Sequence, residues 1–301
     1  MTNIEQLLSS LYNGDRKALA RSITIVENNL NGAQELLASL KINSNIPVIG
    51  ITGPPGAGKS TLVNELLNRL SKDGKKIGVI AVDPTSPFNY GSLLGDRLRM
   101  SDHFNDPNIF IRSVATRGSL GGLSAEIIEI TDVMRAANFD YIFVETVGVG
   151  QSEVEIVGLA NTTILIVVPE AGDEIQTIKS GVMEIADIFV VNKADREGAG
   201  VFHKNLTQLV HSKEASEWQT PVIKATATTG EGCDHIIQAI NKHAKQISSG
   251  DKQTYLLTEK AYRLIQNKRM RDVSKKDLIA QLKGKIVAPD FNLYQFVQAY
   301  D

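Results

Sequence analysis

A chain of 301 residues with 42% hydrophobic content is long enough for one α/β domain of about 200 residues with appendages and a substantial core. Its 32 basic and 34 acidic residues leave a formal net charge of -2, so there is no large basic field, and nucleic acid or an anionic membrane is not the expected partner. One cysteine, Cys233, excludes an intrachain disulfide framework and fits a reducing cytosol.

The first residues, MTNIEQLLSS, have no basic region and no long apolar core, unlike a signal peptide. No apolar run approaches the ~20 residues that span a membrane, and a soluble, cytoplasmic protein is expected. Ile4, Leu7, Leu8 and Leu11 recur at helical spacing, and Asn13-Gly14-Asp15 breaks that helix. Further helices are predicted at 16–27 and near 33–40. Residues 1–45 thus read as an N-terminal helical extension.

From Ile46 onward, short β-branched runs alternate with helical stretches. The runs are 47–52, 77–82, 109–114, 141–144, 163–168, 188–191 and 221–226, with helices between them such as 59–72 and 123–137. Most runs are apolar at consecutive positions, as in strands covered on both faces. This alternation predicts an α/β fold over 46–248: a three-layer P-loop NTPase with a mostly parallel sheet and right-handed crossovers. Ligands of such sheets bind at the carboxyl ends of the strands. Beyond a soft boundary at 248–252, charged amphipathic helices are predicted at 256–271 and 275–283, followed by an apolar segment at 291–300. Residues 249–301 read as a C-terminal helical arm.

The first strand runs into Gly53-Pro54-Pro55-Gly56-Ala57-Gly58-Lys59-Ser60 and then a helix, matching G-x-x-x-x-G-K-[ST] in its required strand–loop–helix setting. The glycines let the backbone turn its N–H groups onto phosphate oxygens, and the helix adds its positive end. Lys59 would neutralise the β- and γ-phosphates, and Ser60 would offer a hydroxyl to Mg²⁺. A later strand ends in Asn192-Lys193-Ala194-Asp195, which resembles the guanine-reading loop of GTPases. A carboxylate can accept from both N1–H and the 2-amino group of guanine, whereas adenine offers neither, which points to GTP rather than ATP. Lys193 can lie over the base, and Asn192 can tie neighbouring loops together. The next strand ends in Thr226-Ala227, where GTPases often carry Ser-Ala to meet guanine O6.

Glu145-Thr146-Val147-Gly148 stands where GTPases have D-x-x-G, with Glu145 in place of the aspartate. Val149 follows Gly148 where small GTPases have a water-orienting glutamine, and Gln151 is out of register. Slow intrinsic hydrolysis is therefore expected. Asp83 closes a strand beside the loop and suits either Mg²⁺ or a turn cap.

Several stretches together resemble the MeaB/ArgK-type GTPases of the metal- and cofactor-chaperone branch of P-loop GTPases. They are 53–61, 81–87, 91–97, 117–123, 145–153, 171–176 and 192–195. The resemblance implies a chaperone of an adenosylcobalamin-dependent acyl-CoA mutase, usually methylmalonyl-CoA mutase, in which GTP gates cofactor loading and protects the mutase. It also implies a homodimer held by C-terminal helices, although residues 275–301 depart from the family's usual ending. Carried over, the cradle extends to Thr61. Asp83, Asp96 and Glu145 look like the Mg²⁺ and switch carboxylates, and Arg117 marks a family-specific loop. Asp173 and Lys179 match switch positions, and Lys179 either stabilises transition-state charge or is a solvated helix lysine. Rival readings are a nickel-insertion GTPase, which needs Cys/His metal sites that five scattered histidines and one cysteine do not supply, an ATP-dependent kinase for a transport protein, and a nucleotide-bound module without turnover.

Overall fold

The computed structural model describes residues 3–83, 100–115, 126–146, 156–171, 186–212, 218–247, 251–270, 272–286 and 291–300. The chain divides into two compact units, Met1–Leu257 and Thr258–Asp301.

In the first unit, helices α1 (Ile4–Tyr12), α2 (Arg16–Glu27) and α3 (Ala33–Ala38) precede strand β1 (Val48–Thr52). Asn3 caps α1 by accepting from the N–H of Gln6, and Asp15 caps α2 by accepting from Lys17 and Ala18. The predicted stripe of Ile4, Leu7, Leu8 and Leu11 is buried. These helices share one hydrophobic cluster with Val48, Ile80, Ile142 and Val144 of the sheet and with α5 (Ile127–Arg135). They therefore cover a sheet face.

The remaining strands are β2 (Ile77–Asp83), β3 (Ile109–Ala115), β4 (Tyr141–Glu145), β5 (Thr162–Val167), β6 (Ile188–Val191) and β7 (Val222–Lys224). They form one seven-stranded sheet in the order β3-β2-β4-β1-β5-β6-β7, and every pairing is parallel. Side chains alternate between its faces. Val48 faces the first cluster, while Ile49 and Ile51 face a second one under α4 (Lys59–Lys72) and α7 (Cys233–Ile247). Helix α6 (Ala199–His211) packs over Leu165, Val167, Phe189 and Val191. The expected three-layer α/β fold with a parallel sheet is the observed one.

The last strand is shorter than its apolar run. Ala225 still donates to the Val191 carbonyl, but Thr226 leaves the sheet and bridges antiparallel to Glu231. A new backbone partner ends β7.

Helix α8 (Asp251–Arg269) carries the chain into the second unit, which contains α9 (Lys275–Lys285) and the short α10 (Leu293–Val297). Ser274 caps α9. Phe296 is buried, with the rings of Phe291 and Tyr300 beside it and Lys285 Nζ 5.1 Å from its ring centre. The hydroxyl of Tyr300 donates to Gln281 Oε1 over 2.9 Å.

Because α3 packs on α1 and α2 within the cluster that includes sheet residues, Leu36→Ala should weaken the whole nucleotide unit. Leu36 is fully buried. A loss of about 2–5 kcal/mol is expected, shared by sheet and helix signals in one urea transition. A separate early transition of α1–α3, with the sheet unaffected, would contradict this.

Candidate active site

The sheet order reverses at β1, which has β4 on one side and β5 on the other. Parallel registers bring Thr52, Glu145 and Val167 to one edge. Ile51 pairs with Glu145, Thr52 with Leu165, and Val167 with Val191. A cleft at the carboxyl ends of the strands follows from this topology.

The loop from Gly53 to Ser60 leaves β1 at that cleft. Gly53 has φ 143°, and a Cβ there would stand 2.2 Å from the Ile166 carbonyl oxygen. Only glycine fits where the loop passes over β5. The loop ends on Gly58, the N-cap of α4, which makes no side-chain cap. Unlike α1 and α2, α4 therefore has no side chain on its start, and its dipole favours an anion there.

Lys59 and Ser60 are both buried. Lys59 Nζ donates to the carbonyls of Gly53 at 2.8 Å and Pro54 at 3.1 Å, so the ammonium lies across the mouth of its own loop. Ser60 Oγ donates to Glu145 Oε1 over 2.6 Å. Glu145 is itself buried at the end of β4. A hydroxyl and a carboxylate this close are hard oxygen donors of the kind Mg²⁺ takes, so these two residues fit that ion. Thr146 secures the arrangement. Its N–H donates to the Ile51 carbonyl, and its hydroxyl lies 3.2 Å from both that oxygen and Thr52 Oγ1. Sequence reading passed over Thr146, because its partners lie on β1, about 95 residues away.

The loop after β6 closes the other side. Asn192, buried, donates from Nδ2 to the Ala57 carbonyl at 2.8 Å and accepts on Oδ1 from the Ala227 N–H at 3.1 Å. One side chain therefore joins the phosphate-type loop to the loop after β7. Lys193 takes φ 57°, a left-handed turn, and the Ala194 N–H then donates to the Ala225 carbonyl. Asp195 is exposed at the rim, and the neighbouring Arg196 pairs with Glu170. Thr226 is buried, and its Oγ1 has no hydrogen-bond partner.

The structure therefore brings together Gly53–Ser60 (residues 53–60), Glu145, Asn192–Asp195 (residues 192–195) and Thr226-Ala227. Thr61 is exposed on the outer side of α4. The backbone of Asp83 ends β2 opposite Ala115, two residues past Ala81, which pairs with Glu145. Asp96, Arg117, Gly148, Gln151, Asp173 and Lys179 lie outside the described residues. Among the described residues, no group of three or more His, Cys, Asp or Glu side chains could hold a metal.

A parallel sheet with this loop after its central strand defines a P-loop NTPase. The family model for the methylmalonyl-CoA mutase-associated GTPase MeaB matches residues 19–284. A Pyrococcus horikoshii protein named as a GTPase is 49% identical over 257 residues, covering 84% of this chain and 81% of that one. The mitochondrial methylmalonic aciduria type A homolog of Mus musculus is 34% identical over 269 residues, covering 82% of this chain and 65% of that one. The crystal structure of a LAO/AO transport system kinase superposes with a TM-score of 0.70 at 26% identity, covering 100% of this chain and 98% of that one. The chain belongs to the MeaB family of P-loop GTPases, and it is a GTPase.

Cys233, at the start of α7, is fully buried, and burial pushes its thiol up to about 11. With the thiol buried and almost wholly protonated at pH 8, the native chain should react with a disulfide reagent at least about tenfold more slowly than the unfolded chain. Equal rates in buffer and in denaturant would refute this.

Proposed function

We propose that this chain is a GTP-operated chaperone of an adenosylcobalamin-dependent acyl-CoA mutase such as methylmalonyl-CoA mutase. It would act in the cytoplasm as a homodimer. The observation that carries this reading is the match of residues 19–284 to a family described as mutase-associated. The mouse relative, named for methylmalonic aciduria, supports the same partner class. Exposed apolar side chains on α8 and α9, among them Tyr262, Ile265 and Ile279, support pairing with a second copy.

In this reading, residues 53–61 cradle the triphosphate, and Lys59 exchanges its two carbonyl partners for phosphate oxygens. The Ser60 hydroxyl and Glu145 hold Mg²⁺, with Asp83 and Asp96 as the further carboxylates. When bound, that ion neutralises charge building on the β- and γ-phosphates. Asp195 accepts from N1–H and the 2-amino group of guanine, Lys193 covers the base, and an O6 contact at Thr226-Ala227 requires one of their N–H groups to leave its present acceptor, the Glu231 carbonyl or Asn192 Oδ1. Arg117, Gly148, Gln151, Asp173 and Lys179 form the switch that answers to the mutase.

The structural neighbour is named a transport system kinase, which favours the ATP reading, and the Asn192–Asp195 loop weighs against it: an ATP user has no use for a guanine-matched carboxylate. Nickel insertion needs soft ligands, and the thiol of Cys233 is held protonated and buried.

Asp195→Asn should lower GTP affinity by at least about tenfold and erase the preference for GTP over inosine triphosphate, which lacks the 2-amino group. Retained preference in a competition titration would sink the guanine assignment. For the client, a pull-down from native extract with a non-hydrolysable GTP analogue should recover a cobalamin-dependent mutase. Recovery of a different enzyme in its place would overturn the chaperone reading. Turnover of the isolated chain should stay far below the ~10 s⁻¹ of partner-activated GTPases.

A further inference from the structure

Ser60 and Glu145 belong to different elements, and their 2.6 Å contact depends on where those elements end. Ser60 is carried by α4, which follows β1 through the phosphate-type loop, and Glu145 is the last residue of β4. The two strands are neighbours, and their parallel pairing runs as far as Ile51 opposite Glu145. Past that point the join is continued by Thr146. Its N–H donates to the Ile51 carbonyl over 3.0 Å. Its hydroxyl lies 3.2 Å from that same oxygen and 3.2 Å from Thr52 Oγ1.

A hydroxyl has one proton to give and lone pairs to accept with. With the Thr146 proton on the Ile51 carbonyl, its oxygen is left to accept from the Thr52 hydroxyl. Both threonines are buried, so neither hydroxyl can turn to bulk water in place of this partner. The joint stands one residue before Gly53, where the loop starts, and one residue after Glu145. Sliding the end of β4 against β1 would therefore change the separation of Ser60 and Glu145 directly.

We infer that Thr146 is a positioning residue for the Mg²⁺ site. By tying β4 to β1 through Ile51 and Thr52, it sets the spacing at which the Ser60 hydroxyl and the Glu145 carboxylate face the ion together. The inference rests on the reading of Ser60 and Glu145 as the pair that holds Mg²⁺. A residue that fixes the placement of a metal ligand acts on metal affinity, not on contacts to the base. Threonine suits the task, because its branched Cβ restricts χ1 at a strand end while it supplies a hydroxyl. Valine keeps that shape without the hydroxyl, and serine keeps the hydroxyl without the methyl group.

The test is equilibrium binding of a fluorescent, non-hydrolysable GTP analogue to the full chain, first in EDTA and then along a Mg²⁺ titration. The native chain should bind more tightly as Mg²⁺ rises, which defines a midpoint concentration. Thr146→Val should raise that midpoint about fivefold, below the roughly tenfold expected for a residue bonded to the ligand itself, and leave binding in EDTA within about twofold. Thr146→Ser should bring the midpoint back to within about twofold of native. Melting curves are recorded alongside. Should Thr146→Val not fold, Thr52→Val removes the other hydroxyl of the joint and should raise the midpoint about threefold. An unchanged midpoint in the valine variant, equal weakening with and without Mg²⁺, or a serine variant that behaves like valine would overturn the inference and leave the metal reading standing. A native chain whose binding does not respond to Mg²⁺ would instead refute the Ser60–Glu145 metal reading, and the inference with it.

Discussion

Helix α4 begins at the carboxyl edge of the central strand with a glycine and no side-chain cap, and the rest of the architecture is arranged around that end. Buried backbone donors need acceptors. Asn3 and Asp15 supply them for α1 and α2, whereas Gly58 has no side chain to do so. Strand β1 lies between β4 and β5, so chain connections leave it in both directions and the edge opens as a cleft. Gly53, passing against the Ile166 carbonyl, sets where the loop starts. The anion-attracting end of the helix is thereby aimed into a gap that the topology had already made.

Lys59 and Glu145, the buried charges of the cleft, have partners within the protein. The Lys59 ammonium rests on two carbonyls of its own loop, and Ser60 donates to Glu145. An unpaired buried charge would be costly, so the chain provides internal partners. Binding a triphosphate in this cleft is then an exchange of hydrogen bonds. The net affinity is a difference between the new partners and the ones given up. The tie from Asn192 to Ala57 and Ala227 links the walls of the same cleft.

Much of this was legible in the chain before folding. Consecutive apolar residues mark buried parallel strands, and the strand boundaries fell within one residue of the runs, except at β7. There the apolar run continued, but Thr226 found a backbone partner in Glu231 and left the sheet. The amphipathic stripe of α1 was visible at Ile4, Leu7, Leu8 and Leu11, yet periodicity says only that a face is buried, not that it lies under β1, β2 and β4. Thr146 carried no signal. A threonine after a strand is ordinary, and what distinguishes this one is the company it keeps after folding.

The sequence by itself determined the local chemistry: a glycine-rich loop between a strand and a helix, a lysine and a serine at its end, and a carboxylate matched to guanine. These are short-range features, set by backbone freedom and donor–acceptor type over a few residues. The tertiary structure alone decided which distant segments meet. Ser60 reaches Glu145 across 85 residues, Asn192 reaches Ala57 across 135, and Arg69 reaches Gly230 across 161. Those meetings depend on the strand order β3-β2-β4-β1-β5-β6-β7. That order comes from how both faces of the sheet are covered at once, which no window of the chain contains.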